Sequence, residues 1–225
     1  MTRKALLLAL ALSLPAALGG CIEMAAVGVG AAALGIEDRR TGGTQIEDER
    51  IELVASNRVS ERFGDKVHVN VTSYNRSVLL TGEVPDEKAK AEIERLAATI
   101  QNVKGVVNDL QVGANASFAS RAGDAATTGK VKARFLDGTR FSPVHVKVVT
   151  EASVVYLMGL VTEKEANDAV ELARTTGGVR KVVKVFEYCK PTDALCAPRA
   201  KPKAEDPKKD AGGSTTSNIN TDAKK

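Results

Sequence analysis

The chain has 225 residues, of which 43% are hydrophobic and 27% are charged, and this balance excludes a multi-span membrane protein. Aromatic residues make up only 4% and Trp is absent, so any core is built mainly from Val, Leu, Ile and Ala. The net charge of +4 is too small for a dedicated nucleic-acid-binding protein, and we expect no nucleic-acid partner.

Residues 1–20 are typical of a signal peptide. Arg3 and Lys4 precede an apolar run that is far shorter than the roughly 20 residues of a membrane-spanning helix. The segment ends in Leu18-Gly19-Gly20-Cys21, which resembles the lipobox of bacterial lipoproteins. This interpretation makes Cys21 the lipid attachment site, where fatty acids such as palmitate anchor the mature chain. The alternative is ordinary secretion with a coincidental cysteine.

The residues after Cys21 predict where the anchor resides. Ile22 stands where an inner-membrane retention signal of lipoproteins would place Asp, so the resemblance implies the outer membrane, with the protein facing the periplasm. Residues 21–45 begin with an Ala- and Gly-rich stretch that lacks the third glycine of a phosphate-binding fingerprint. We interpret them as a lipidated tether.

An internal repeat follows the tether. Val67-His68-Val69-Asn70-Val71 recurs 77 residues later as Val144-His145-Val146-Lys147-Val148. Gly82-Glu83-Val84 recurs at the same spacing as Gly159-Leu160-Val161. The repeat predicts one domain at 46–113 and a second at 124–188, joined by a linker at 114–123.

Each copy has the periodicity of five elements. In the first copy an apolar residue recurs every fourth position from Ile51 to Phe63, which predicts a helix. Two alternating strands with a turn at Tyr74-Asn75-Arg76 come next, then a second helix, then a third strand from Val106 to Val112. The predicted class is α+β, with each α-β-β-α-β unit a three-stranded sheet packed against two helices. Gly82 and Gly159 are predicted to be structural glycines at close backbone approaches.

These motifs resemble the BON family, which is named for bacterial envelope and nodulation proteins. The resemblance rests on the V-x-V-x-V strand, the V-x-L-x-G-x-V strand, the Ala-rich second helix and the V-x-x-V-V strand, each present twice. A lipobox followed by two such domains is similar to the dual BON-domain lipoproteins of Gram-negative bacteria. That resemblance implies binding of anionic phospholipid and support of envelope integrity, partly at the division site. The alternative function is a non-catalytic protein-interaction module, whose envelope partner assembles the outer membrane or remodels the cell wall.

Charge favours the second copy as the membrane-binding one. Residues 46–113 carry nine basic and twelve acidic residues, whereas 124–188 carry ten and eight. Each Lys or Arg near an anionic surface contributes about 1 kcal/mol. The predicted phospholipid-binding residues are Lys130, Lys132, Arg134, Leu136, Arg140 and Phe141. The alternative is a solvated helix face with Phe141 in the core.

One position departs from the family pattern. The resemblance implies an aromatic residue near the start of the second domain's first helix, where it helps to enter the bilayer. We align that position with Ala126.

The sequence contains no recognisable catalytic or metal motif, and we predict a protein that is not an enzyme and binds no cofactor. His68 and His145 are the two histidines, and each lies between valines that point to the core, so both are predicted to face away from it. No G-x-S-x-G motif occurs. A metal site normally needs three or four converging ligands, and none is predicted.

The C-terminal region contains the other two cysteines, Cys189 and Cys196. An even pair in a compartment where disulfides persist predicts a bridge, and Pro191-Thr192-Asp193 between them is typical of a turn. The alternative is two free thiols. Residues 189–225 are therefore predicted to be a disulfide-containing turn and a disordered tail, since 198–225 are almost without apolar residues and carry a net charge of +3.

Overall fold

The computed structural model describes residues 38–138 and 140–196. These residues form two consecutive α+β units of the same topology, which confirms the predicted fold class. The predictions of a signal peptide, a lipid attachment site at Cys21 and a disordered tail fall on residues outside the described ranges, as does most of the tether.

The first unit consists of α1 (Gly42–Phe63), β1 (His68–Tyr74), β2 (Ser77–Val84), α2 (Glu87–Ala98), β3 (Gly105–Asn108) and β4 (Gln111–Val112). The second consists of α3 (Phe118–Asp137), β5 (Val146–Glu151), β6 (Val154–Val161), α4 (Glu163–Arg174) and β7 (Lys181–Tyr188). Short 3₁₀ turns, Gly64–Lys66 and Pro143–His145, lead into β1 and β5.

The sheets are mixed, and the second strand of each unit is central. β1 and β2 pair antiparallel, with His68 opposite Glu83, while β3 and β4 both pair parallel to β2. In the second unit β5 pairs antiparallel and β7 parallel to β6. The parallel pairing requires a crossover, which α2 and α4 supply.

The two helices of each unit cover one face of its sheet. In the first unit Ile51 of α1 and Ile93 of α2 are fully buried against β2 residues such as Leu80. In the second, Phe135 of α3 packs with Leu157 of β6 in the same way. These are the small aliphatic cores expected from the composition.

Each hairpin turn is held by a buried aspartate of the preceding helix. The central residues of the first turn, Asn75 and Arg76, have positive φ angles of 50° and 69°, as two-residue hairpin loops require. Their backbone N–H groups donate to the carboxylate of Asp48 at 2.8 Å and 2.7 Å. In the second unit Asp124, 76 residues later, accepts from the N–H groups of Ala152 and Ser153.

The two sheets pack on each other through their remaining faces. The contact contains an interdomain cluster of buried residues from both units: Tyr74, Leu79, Tyr156, Met158, Leu160 and Cys196. Polar contacts surround it, among them the Tyr156 hydroxyl, which donates to Asp109 at 2.7 Å. The central strands are therefore covered on both faces.

Three predicted boundaries differ from the structure. The first helix begins at Gly42, before the predicted domain start at residue 46, because Thr41 caps it by accepting from Thr44 N–H. Likewise α3 begins at Phe118, inside the predicted linker 114–123, because Ser117 caps it. The third strand of the first unit is broken into β3 and β4, since Leu110 between them turns inward and is fully buried.

Gly82 and Gly159 lie where the hairpin strands come closest. A Cβ on Gly82 would overlap the carbonyl oxygen of His68, and one on Gly159 would overlap that of His145. Gly82 also has a φ of 115°, which side-chain-bearing residues rarely adopt. Both positions thus need glycine for backbone geometry.

Candidate functional site

The second unit presents most of α3 to solvent. The helix buries a narrow face, consisting of Asp124, Thr127, Val131 and Phe135, at the three- and four-residue spacing of a helical stripe. Nearly all its other side chains are exposed. A helix of 20 residues with so narrow a buried face leaves a long surface available to another partner.

The exposed side of α3 carries large apolar residues at both ends. Phe118 is 79% exposed and Leu136 is 71% exposed. They are 18 residues apart, which at 3.6 residues per turn is five turns, so they point in the same direction about 27 Å apart. Ala122, Ala125 and Gly129 lie between them on the same side and are exposed. We call these five residues the exposed stripe.

Basic side chains flank the exposed stripe. Arg121, Lys130 and Lys132 are exposed, and within the described residues none of the three forms an ion pair. Of the two acidic residues of α3, Asp124 is turned inward to hold the hairpin, and Asp137 is the last residue of the helix. The surface around the stripe is consequently positive.

Arg134 does not belong to this surface. Its Nη1 donates to the Leu172 carbonyl at 3.1 Å and the Thr175 hydroxyl at 2.8 Å, at the C-terminal end of α4. Arg58 of α1, 76 residues earlier, donates in the same way to the end of α2. The prediction of a headgroup-facing Arg134 is corrected, because in each repeat this arginine joins the two helices of its own unit.

Phe141 is also an internal residue. It is 8% exposed and its ring meets that of Phe135 edge to face, with the centroids 5.0 Å apart. The inserting role predicted for Phe141 is corrected, and the alternative of a core Phe describes its position. Arg140 is exposed, with Asp168 at 3.9 Å. Lys130, Lys132, Leu136 and Arg140 are thus the exposed members of the predicted set.

Phe118 was missed by the sequence reasoning, which aligned the family's aromatic position with Ala126. The structure shows an exposed aromatic side chain as the first residue of α3. A signal for this start exists: Thr41 and Ser117, the caps of the two first helices, are 76 residues apart. The small residues between Phe118 and Asp124 weaken the apolar periodicity, which concealed the first two turns.

A second group of polar side chains lies between the units. The imidazole Nδ1 of His68 is 2.9 Å from Glu83 Oε2, and the Asn70 amide donates to Glu151 Oε2 at 2.6 Å. Glu83 also accepts from the backbone N–H of Ala116. Burial raises the pKa of Glu151, although the hydrogen bond from Asn70 opposes this. His68 faces away from the core of its own unit, as predicted, and toward the other unit.

The residues that precede α1 bind both units. The Arg39 guanidinium donates to both carboxylate oxygens of Glu165 and to the Leu160 carbonyl, at 2.8 to 2.9 Å. Arg40 pairs with Asp48 in the first unit. Burial acts to raise the pKa of Glu165, but hydrogen bonds from His145, Arg39 and Thr162 hold it far below its ordinary value.

Cys189 and Cys196 are bonded to each other, with their Cα atoms 6.2 Å apart. Cys196 is 3% exposed and packs in the interdomain cluster. The loop that this bond closes therefore covers one end of the contact between the sheets.

Comparison with known families decides the assignment. The model of the BON domain matches twice, at residues 46–114 and 123–190. The chain belongs to the BON domain family. Two such domains in a row correspond to the repeat found in the sequence and to the two units of the structure.

Three relatives were compared. The chain is 41% identical to the outer membrane lipoprotein DolP of Haemophilus influenzae over 76% of this chain and 90% of that one. It is 32% identical to a 21 kDa hemolysin of Actinobacillus pleuropneumoniae, over 67% and 79% of the two chains. It is also 32% identical to osmotically-inducible protein Y of Escherichia coli, over 51% and 58%.

These comparisons confirm a dual BON-domain outer-membrane lipoprotein, as the lipobox and repeat predicted. Among the described residues no helix is both long and apolar enough to cross a membrane. The relatives are named as a lipoprotein, a hemolysin and an osmotically inducible protein, which favours a non-catalytic role.

Proposed function

We propose that this BON-domain protein maintains the outer membrane by binding anionic phospholipid through helix α3 of its second domain. The observation that carries the proposal is the exposed stripe, with Phe118 and Leu136 at its ends and unpaired basic side chains beside it. The extension of this role to the division site rests on family resemblance alone.

The stripe has the chemistry of a shallow membrane contact. Burying a Phe or Leu side chain is worth about 1.5 to 3 kcal/mol, and small residues between them let the helix lie flat on the surface. Arg121, Lys130 and Lys132 add about 1 kcal/mol each against anionic headgroups. Lipid attachment at Cys21 would raise the effective concentration of this helix at the membrane, so even weak binding would be sufficient.

Vesicle binding tests the proposal. We expect the chain from Ile22 onward to bind vesicles containing phosphatidylglycerol, and to bind less as salt rises, because exposed charges are screened over about 8 Å at physiological ionic strength. The double variant Phe118→Ser, Leu136→Ser should bind at least tenfold more weakly, and replacement of Arg121, Lys130 and Lys132 by Gln should remove most of the salt dependence.

The first domain offers a matched control. Ile46 and Leu53 of α1 are 70% and 62% exposed and share one side of that helix, but they belong to the net-acidic copy. Ile46→Ser with Leu53→Ser should leave vesicle binding unchanged. Lipid binding through α3 is refuted if the wild type ignores anionic vesicles at low salt, or if both double variants behave alike.

Those residues of α1 also favour the second candidate function. Two exposed apolar side chains seven residues apart on an acidic helix suit a protein partner better than an anionic membrane. We propose an envelope protein as that partner. If the α1 double variant fails to restore outer-membrane integrity in a deletion strain while the α3 double variant succeeds, the interaction-module function replaces lipid binding.

A further inference from the structure

One histidine and two glutamates converge at the boundary between the two domains. His68 of β1, Glu83 of β2 and Glu151 at the end of β5 each offer one ligand atom, and these three atoms lie within 4.8 Å of one another. We propose that His68, Glu83 and Glu151 form a divalent metal site, best suited to zinc, that joins the first domain to the second. The sequence gave no motif for it, since the donors meet only after the domains pack.

The charge of this cluster calls for a cation. Glu83 and Glu151 are 8% and 4% exposed. In the described part of the chain no Lys or Arg nitrogen lies within 4.0 Å of either carboxylate, and His68 is the only ion-pair partner of Glu83. Buried carboxylates are costly unless they are paired or bind a metal. A dication would compensate both charges at once.

The donor types select among metals. An imidazole nitrogen with two carboxylate oxygens is a set that zinc accepts, with water or another oxygen completing its coordination. Calcium and magnesium favour sites made of oxygen alone. Asn70, whose amide contacts Glu151, offers that further oxygen if the amide is turned, because its O and N are interchangeable by rotation. Asn70 is exposed, which gives an ion a path to the site.

The two histidines of the chain make the test direct. The full lipidated chain, purified in detergent without a histidine tag and stripped by a chelator, is labelled with ¹⁵N-histidine. Only His68 and His145 then contribute imidazole signals. Equimolar zinc should shift the signals of His68 and leave those of His145 in place, and calorimetry should give one site per chain.

Variants supply a second readout. Glu151→Gln, which keeps an acceptor for Asn70, and His68→Gln should each weaken zinc binding at least tenfold. His145→Gln, at the equivalent position of the other repeat, should bind as the wild type does. The site is overturned if a tenfold excess of zinc leaves the His68 signals unmoved, if His145 responds instead, or if Glu151→Gln retains full affinity. The wild-type spectra decide the matter even if a variant fails to fold.

Discussion

At the scale of single residues, the two repeats reuse the same polar contacts. Asp48 and Asp124 hold the hairpin turns, and Arg58 and Arg134 join the helices within each domain. All four lie at the 76-residue spacing of the repeat. A charged residue that recurs at the repeat spacing is therefore structural here, and this signal could have removed Arg134 from the predicted lipid-binding set.

Replacing Asp48 should be strongly destabilising. Asp48 is 2% exposed and its carboxylate accepts from the N–H groups of Asn75 and Arg76, the Ser73 hydroxyl and Arg40. In Asp48→Ala these donors lose their acceptor, and we expect the free energy of unfolding to fall by about 3 kcal/mol. Urea denaturation measures it. Asp124→Ala, which removes two such bonds, should cost less, and equal stability of both variants and the wild type would contradict this account.

At the scale of elements, periodicity predicted most helices and strands, and the deviations have local causes. The order α-β-β-α-β and the turn at Tyr74-Asn75-Arg76 were predicted, because apolar spacing and turn chemistry act within a few residues. The break between β3 and β4 could not be, since it depends on Asp109 reaching Tyr156 in the other domain and on Leu110 entering the core.

The start of α4 predicts a dependence of stability on pH. Thr162 and Glu165 form the capping box expected from the sequence, and Arg39 and His145 contact the same carboxylate. The folded-state pKa of Glu165 is below its ordinary value of 4.5, so its ionised form stabilises the fold above about pH 4.5. That stabilisation is lost as the pH falls through the folded-state value.

The comparison of wild type with Glu165→Gln isolates this group. In urea denaturation the variant should be less stable at pH 7, and the difference should shrink steadily below about pH 4. A difference that is the same at pH 7 and at pH 3 would show that the contacts of Glu165 do not depend on its charge.

At the scale of the whole molecule, the packing of one sheet on the other was not predicted, although the sequence contains a signal for it. The central strands read as nearly unbroken apolar runs, Val78-Leu79-Leu80 and Val154 to Val161, which is typical of strands covered on both faces. The alternating pattern of β1 suggested a sheet with one solvated face. Which surface covers the second face is a property of two distant segments, and no local period encodes it.

The interdomain cluster should make the two domains unfold together. Met158 is 1% exposed and packs between the sheets, whereas its neighbour Leu157 faces the helices of its own domain. Met158→Lys places a charge in the contact without altering either domain's own core. Calorimetry should show one transition for the wild type and two for the variant, and two transitions in the wild type would mean that the domains are energetically independent.

The Arg39–Glu165 pair sets the mechanics of the anchored protein. The chain enters the first domain from its lipid-bearing end, yet Arg39 grips the second, so tension on the anchor is transmitted first to α4. Only 17 residues separate Cys21 from Asp38, which limits the leash to about 60 Å even when fully extended. The second domain is thereby the load-bearing end of the molecule, tethered within a short radius of the bilayer in which the lipid is embedded.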